Sequence, residues 1–133
     1  MDNNDNKNKV DKYCTKELGE VGENLAAFYL EENGYSIVEK NFRCKVGEID
    51  IIASKGKLLA FVEVKSRRSL VFGFPQEAVN TKKIKYIKRV ASYYLSNQMR
   101  IQRHYSDFSF RFDVIEINFA NETHEVNHIK DAF

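Results

Sequence analysis

Apolar positions along the first half of the chain change from a helical to a strand-like period. Between residues 16 and 33 they fall at Leu18, Val21, Leu25, Phe28 and Tyr29, the spacing of one helix face, and Asn33-Gly34 is a suitable C-terminal stop. Residues 35–41 read as a short strand. Two stronger strands follow: 48–53, rich in isoleucine, and 58–66, which contains Leu-Leu-Ala-Phe-Val-Glu-Val-Lys. Ser54-Lys55-Gly56-Lys57 joins them, with Gly56 able to take the positive φ of a tight hairpin. Gly73 and Pro75 punctuate a loop. Residues 76–98 then return to a helical period, with Ile84, Ile87, Ala91, Tyr94 and Leu95 as the buried stripe and lysines on the other faces. Residues 111–119 alternate as a strand, and 126–129 add a short last one. The order α-β-β-β-α-β-(β) predicts an α/β fold with a mixed central sheet flanked by helices. Residues 1–14, rich in Asn, Asp and Lys, are too polar to offset the entropy of ordering, so a disordered tail is expected there and a single domain over 15–133.

Composition narrows the class. With 133 residues, 43% hydrophobic and 30% charged, the chain fits one globular domain. No apolar run approaches the ~20 residues of a membrane helix, and Asp2-Asn3-Asn4-Asp5-Asn6-Lys7 resembles no secretion signal. Cys14 and Cys44 fit neither a disulfide framework nor a zinc site. A cytoplasmic protein with reduced thiols and no membrane partner is therefore expected. Net charge is only +2, but it is unevenly spread: residues 76–103 carry seven basic groups against Glu77, giving +6 there and −4 elsewhere. A basic stretch facing an acidic remainder fits a polyanion-binding face with carboxylates elsewhere, although a solvated helix face has the same composition.

The chemistry-bearing residues lie on the two stronger strands. Residues two apart in a strand share a face, so Glu63 and Lys65 project together with Leu59 and Phe61, while Val62 and Val64 face the other way. The hairpin brings Asp50, embedded between isoleucines, opposite residues 61–63. Two carboxylates side by side repel, and each has a raised pKa unless a cation lies between them. Hard oxygen ligands suit Mg²⁺ or Mn²⁺, so Asp50 and Glu63 are candidate metal ligands and Lys65 a candidate partner of the attacking water. Glu23, at the margin of the first helix's apolar stripe, is a fourth candidate. Gly19, Gly22 and Ala26 keep that flank small enough for close approach to the sheet. The plain alternatives are a cross-strand salt bridge to Lys65 and a solvated Glu23.

Several blocks match a known pattern. Gly22-Glu23-Asn24-Leu25-Ala26, Asn41-Phe42-Arg43, Gly47-Glu48-Ile49-Asp50, Phe61-Val62-Glu63-Val64-Lys65-Ser66-Arg67, Arg111-Phe112-Asp113-Val114-Ile115 and Ala132-Phe133 resemble the YraN-like family of small bacterial proteins. The resemblance runs from about residue 18 to the end. It implies a restriction-endonuclease-like fold of the PD-(D/E)XK class, similar to archaeal Holliday junction resolvases. The motif acid then maps onto Asp50, the E-x-K pair onto Glu63 and Lys65, and the helix glutamate onto Glu23, with Ile49 where the class name has proline. A Mg²⁺- or Mn²⁺-dependent endonuclease acting on DNA, branched or single-stranded, is the implied function. Resolvase-like relatives act as dimers, so a homodimer is implied as well.

Phosphate contacts are expected from Lys82, Lys83, Lys85 and Arg89 on the second helix, and from Arg67 and Arg68 directly after the E-x-K strand. Tyr86, Tyr93, Tyr94 and Tyr105 lie near that helix, where exposed rings can stack on unpaired bases, while Tyr94 reads as core. Asp113, mid-strand beside Arg111, reads as structural. His124 and His128 have the spacing of zinc ligands on a helix, but their surroundings look extended. The rival to a nuclease is a nucleic-acid-binding module that keeps the fold without the chemistry.

Overall fold

Among the described residues, seven elements follow one another in the order read from the sequence: α1 (Lys16–Glu32), β1 (Ser36–Cys44), β2 (Gly47–Lys55), β3 (Leu58–Arg68), α2 (Thr81–Arg100), β4 (Ser109–Ala120) and β5 (Thr123–Ile129). The structure, a computed structural model, describes residues 16–68, 81–100 and 105–133. The tail expected over 1–14, the loop at Gly73 and Pro75 and the expected helix start at 76 lie outside the described residues. All five strands join one sheet in the order β1-β2-β3-β4-β5. Only β3 and β4 are parallel, which requires the crossover that carries α2. The architecture is the mixed α/β sheet predicted, with the last strand present and all five strands longer than expected.

Local chemistry explains the element ends. Helix α1 closes with the Tyr35 N–H donating to the Leu30 carbonyl at 2.9 Å and the Gly34 N–H to Glu31 at 3.1 Å, the paired bonds of a Schellman stop. Between β2 and β3 the register pairs Lys55 with Leu58, so the turn is only Gly56-Lys57. Gly56 takes φ +58°, a conformation that a Cβ would strain.

Two apolar layers sandwich the sheet. On one side Ala26, Ala27 and Leu30 of α1 pack on Ile51, Ala53, Ala60, Val62, Ile115 and Ile117. On the other, Ile87, Val90, Ala91 and Tyr94 of α2 pack on Ile49, Ile52, Leu59 and Phe61. The α2 stripe differs slightly from expectation: Val90 is fully buried, while Ile84 and Leu95 are half-buried. Close approach of α1 is real at Gly22, where a Cβ would collide with the Ser66 hydroxyl.

One irregularity matters for function. The β1–β2 pairing slips between Ile37 and Glu39, and Asn41 takes φ +53°. Opposite Asn41, between the pairs Lys40–Ile51 and Phe42–Ile49, the faces of β2 reset: Ile49 joins the α2 layer while Ile51, two residues on, joins the α1 layer. Asp50 is the residue between them.

Candidate active site

The β2–β3 pairing runs out at Ile51 opposite Val62, whereas β3 continues beside β4 as far as Arg68 opposite Phe119. The two middle strands therefore part company where Asp50 and Glu63 stand. At this fork Asp50 turns towards β3, and its Oδ2 accepts the Val64 backbone N–H at 2.8 Å. The carboxylate thus sits between isoleucines of opposite layers without belonging to either apolar cluster.

Glu63 lies on the α2 side, its side chain only 13% exposed. It receives Lys83 Nζ on Oε1 at 2.6 Å. The hydrogen bond to Glu63 holds the Lys83 ammonium above its ordinary pKa, with the Asp50 charge adding to the effect. Lys83, expected among phosphate-facing cations, thus belongs to the carboxylate site in this structure. The tertiary packing of α2 brings the pair together, so no local sequence pattern signals it.

Asp50 is poorly compensated. Burial raises its pKa most, the Glu63 charge raises it further, and Glu23 and Glu48 add to both, while the Val64 N–H pulls it down. The result is a carboxyl pushed up to about 7. Glu23 is therefore close enough to be felt electrostatically, as its position on α1 suggested. Glu48 was not foreseen; it sits two residues from Asp50, pairs with Arg43 at 3.3 Å and offers its N–H to the Tyr86 hydroxyl at 3.1 Å. Tyr86 fits there because Gly47 has no side chain to meet it. Lys65 is half-buried on the same strand, and its register neighbour on β4 is Glu116, a buried carboxylate that the sequence reading also passed over.

Among the described residues, no three His, Cys, Asp or Glu side chains form a metal-holding group on their own. Mg²⁺ is held in proteins by one or two carboxylates and keeps waters or substrate oxygens in its other positions. Asp50 and Glu63 fit this donor set: two neighbouring carboxylates, one with its charge opposed by every nearby acid.

The other sequence candidates separate clearly. Lys82, Lys85 and Arg89 are exposed along α2, and Arg67 and Arg68 are half-buried at the end of β3. Asp113 is fully buried and held by Arg111, His128 and the Asp131 N–H. His128 is therefore taken by Asp113, while His124 lies against the Phe119 ring. Both are on β5, where residues four apart stand about 13 Å from each other. No helix of the described residues is long and apolar enough to cross a membrane.

Comparison with known proteins places these residues in a wider set. Residues 22–117 match the Uncharacterised protein family UPF0102. A UPF0102 protein of Caldicellulosiruptor saccharolyticus is 47% identical over 120 residues, covering 89% of this chain and 98% of the relative. Those of Clostridium perfringens, 48% identical with 92% and 98% covered, and Alkaliphilus metalliredigens, 47% identical with 90% and 99% covered, are similar along their whole lengths.

Proposed function

The chain belongs to the UPF0102 family, and from that premise we propose that it is a metal-dependent nuclease hydrolysing phosphodiester bonds of DNA. The observation that carries the proposal is Asp50, raised to about 7 by burial and by Glu63, Glu23 and Glu48. A carboxylate in such company gains more from a divalent cation than from any other common ligand. Asp50 and Glu63 would hold Mg²⁺ or Mn²⁺, which when bound supplies charge stabilisation at the phosphoryl oxygen and lowers the pKa of a water. Lys65, on the face of Glu63, orients the attacking water or takes its proton. Glu23 keeps the local field negative and so favours the cation. Arg67, Arg68, Lys82, Lys85 and Arg89 neutralise the phosphates on either side of the cut. A homodimer would present two such sites to a branched substrate.

One observation favours a second reading. Glu63 already has a countercharge in Lys83 at 2.6 Å, as suits a nucleic-acid-binding module that no longer needs a metal. The two readings separate in a cleavage assay on linear, single-stranded, flapped and four-way DNA with Mg²⁺ or Mn²⁺. The nuclease gives metal-dependent products that Asp50→Asn and Lys65→Ala abolish while the fold is kept. Salt-sensitive binding without products, weakened by Lys82→Ala with Lys83→Ala and indifferent to Lys65→Ala, identifies the binding module.

A further inference from the structure

Helix α2 leads away from the carboxylates along the turn between β1 and β2. Lys83 meets Glu63 and Tyr86 meets Glu48. One turn further on, a cleft of about 410 Å³ opens between the helix and the turn, lined by Lys45, Arg89, Ser92, Tyr93, Ser96 and Asn97. By the rise of an α-helix, Arg89 stands ~9 Å and Tyr93 ~15 Å along the axis from Lys83. We infer that this cleft binds one unpaired nucleotide of a nucleic-acid strand running on from the carboxylates, so that the ligand carries a single-stranded segment beside them. The inference takes its ligand class from the nucleic-acid reading above and does not depend on cleavage.

The lining matches that ligand group by group. Lys45, in the β1–β2 turn, and Arg89, on α2, both line the cleft and are exposed, and no carboxylate lines it. This arrangement selects an anion such as a phosphodiester. The Ser92 and Ser96 hydroxyls, both lining the cleft, already donate to the Lys88 and Ser92 carbonyls at 3.0 Å, so what they can still offer is acceptor capacity. The amide of Asn97 can donate and accept, as base edges require. Tyr93 supplies the flat apolar surface. The other tyrosines near the helix are placed differently: Tyr94 is fully buried, Tyr86 accepts from Glu48, and Tyr105 packs edge-on against Phe108 at 5.0 Å. A base within a duplex has both faces stacked, so only an unpaired one can lie on Tyr93.

The test is fluorescence anisotropy with the full chain in EDTA. Probes are an oligothymidylate, a blunt hairpin duplex with the same number of nucleotides, and thymidine monophosphate as competitor. The wild type is expected to prefer the unpaired probe. Tyr93→Ala should weaken that probe roughly 5- to 100-fold with little effect on the duplex, and Tyr93→Phe should restore it. Lys45→Ala with Arg89→Ala should make the single-strand salt slope shallower by about 0.7 per phosphate lost. Equal binding of paired and unpaired probes overturns the inference, as does equal loss of both in Tyr93→Ala. Competition by the mononucleotide as strong as by the strand also overturns it, because the cleft would then be a free-nucleotide pocket. Cleavage abolished by Asp50→Asn together with binding insensitive to Tyr93 removes this inference alone. Binding sensitive to Tyr93 in a protein that never cuts removes only the nuclease reading.

Discussion

Asp113 and Asp50 stand on neighbouring parts of one sheet, and the more deeply buried of them is the better acid. Asp113 has no exposed surface, yet its carboxyl is held down at about 2. Burial pushes it upward, but the bonds from His128, from Arg111 at 2.7 Å on both oxygens and from the Asp131 N–H outweigh that cost. Asp50 has more exposed surface and is pushed up to about 7, because burial and the charges of Glu63, Glu23 and Glu48 outweigh the bond from the Val64 N–H. The difference separates two uses of a carboxylate. Where the chain supplies the countercharge itself, the group locks β4, β5 and the end of α1 together, with Arg111 reaching on to the Tyr35 hydroxyl at 2.7 Å. Where the charge is short of partners, as at Asp50, the proposed use is to receive a cation brought from outside.

Breaking the compensated side should have the largest effect on stability. Asp113→Asn leaves Arg111 without its buried partner and is expected to cost about 3–5 kcal/mol in urea unfolding. The sign with pH follows from a native pKa below the unfolded one: this stabilisation is present above the ordinary carboxylate range near 4 and is lost as pH falls through about 2. A loss under about 1 kcal/mol for Asp113→Asn would mean that the cluster does not hold the strands together.

The uncompensated side should respond in the opposite sense. Asp50 has a native pKa above its unfolded value, so its contribution to stability is fully present below about 3.8 and is lost as pH rises through about 7. Asp50→Asn keeps an oxygen for the Val64 N–H and removes the charge. It should be neutral near pH 3.8 and stabilise by about 2–4 kcal/mol above pH 7. Melting curves across that range check it, and destabilisation at high pH would sink the assignment of Asp50 as short of countercharge. The smallest effect is expected at Lys83→Met. Lys83 is 45% exposed, so stability should move by no more than about 1 kcal/mol. Affinity for Mn²⁺ should rise a few-fold, since Glu63 is released; unchanged affinity would place Glu63 outside the cation site.

Much of this was legible in the chain, and what was not has a common cause. The helix over 16–33 and the hairpin at Gly56 are local properties and both are realised, but the buried face of the helix is Ala26, Ala27 and Leu30, with Leu25 and Tyr29 half-buried and the expected stripe residues Val21 and Phe28 exposed. Asp113 reads as structural because Arg111 is two residues away on the same face. Its other partners, His128 and the Asp131 N–H, arrive through β5 pairing and the backbone that follows it, which no spacing rule anticipates. Lys83 meets Glu63 for the same kind of reason: the pairing depends on how α2 docks. The reset of faces at Asn41 was hidden as well, because strict alternation carries no sign of a positive φ within a strand. Without that reset Asp50 would lie on the face opposite to both its isoleucine neighbours.

The most direct measurement is a calorimetric titration of the chain with Mn²⁺ at about pH 8 and again at about pH 5.5, wild type beside Asp50→Asn. An Asp50 short of countercharge predicts saturable binding at the higher pH, weakened at the lower pH where the proton competes for Asp50, and lost in Asp50→Asn. Binding that is absent from the wild type at the higher pH, or that survives in Asp50→Asn unchanged, would contradict it.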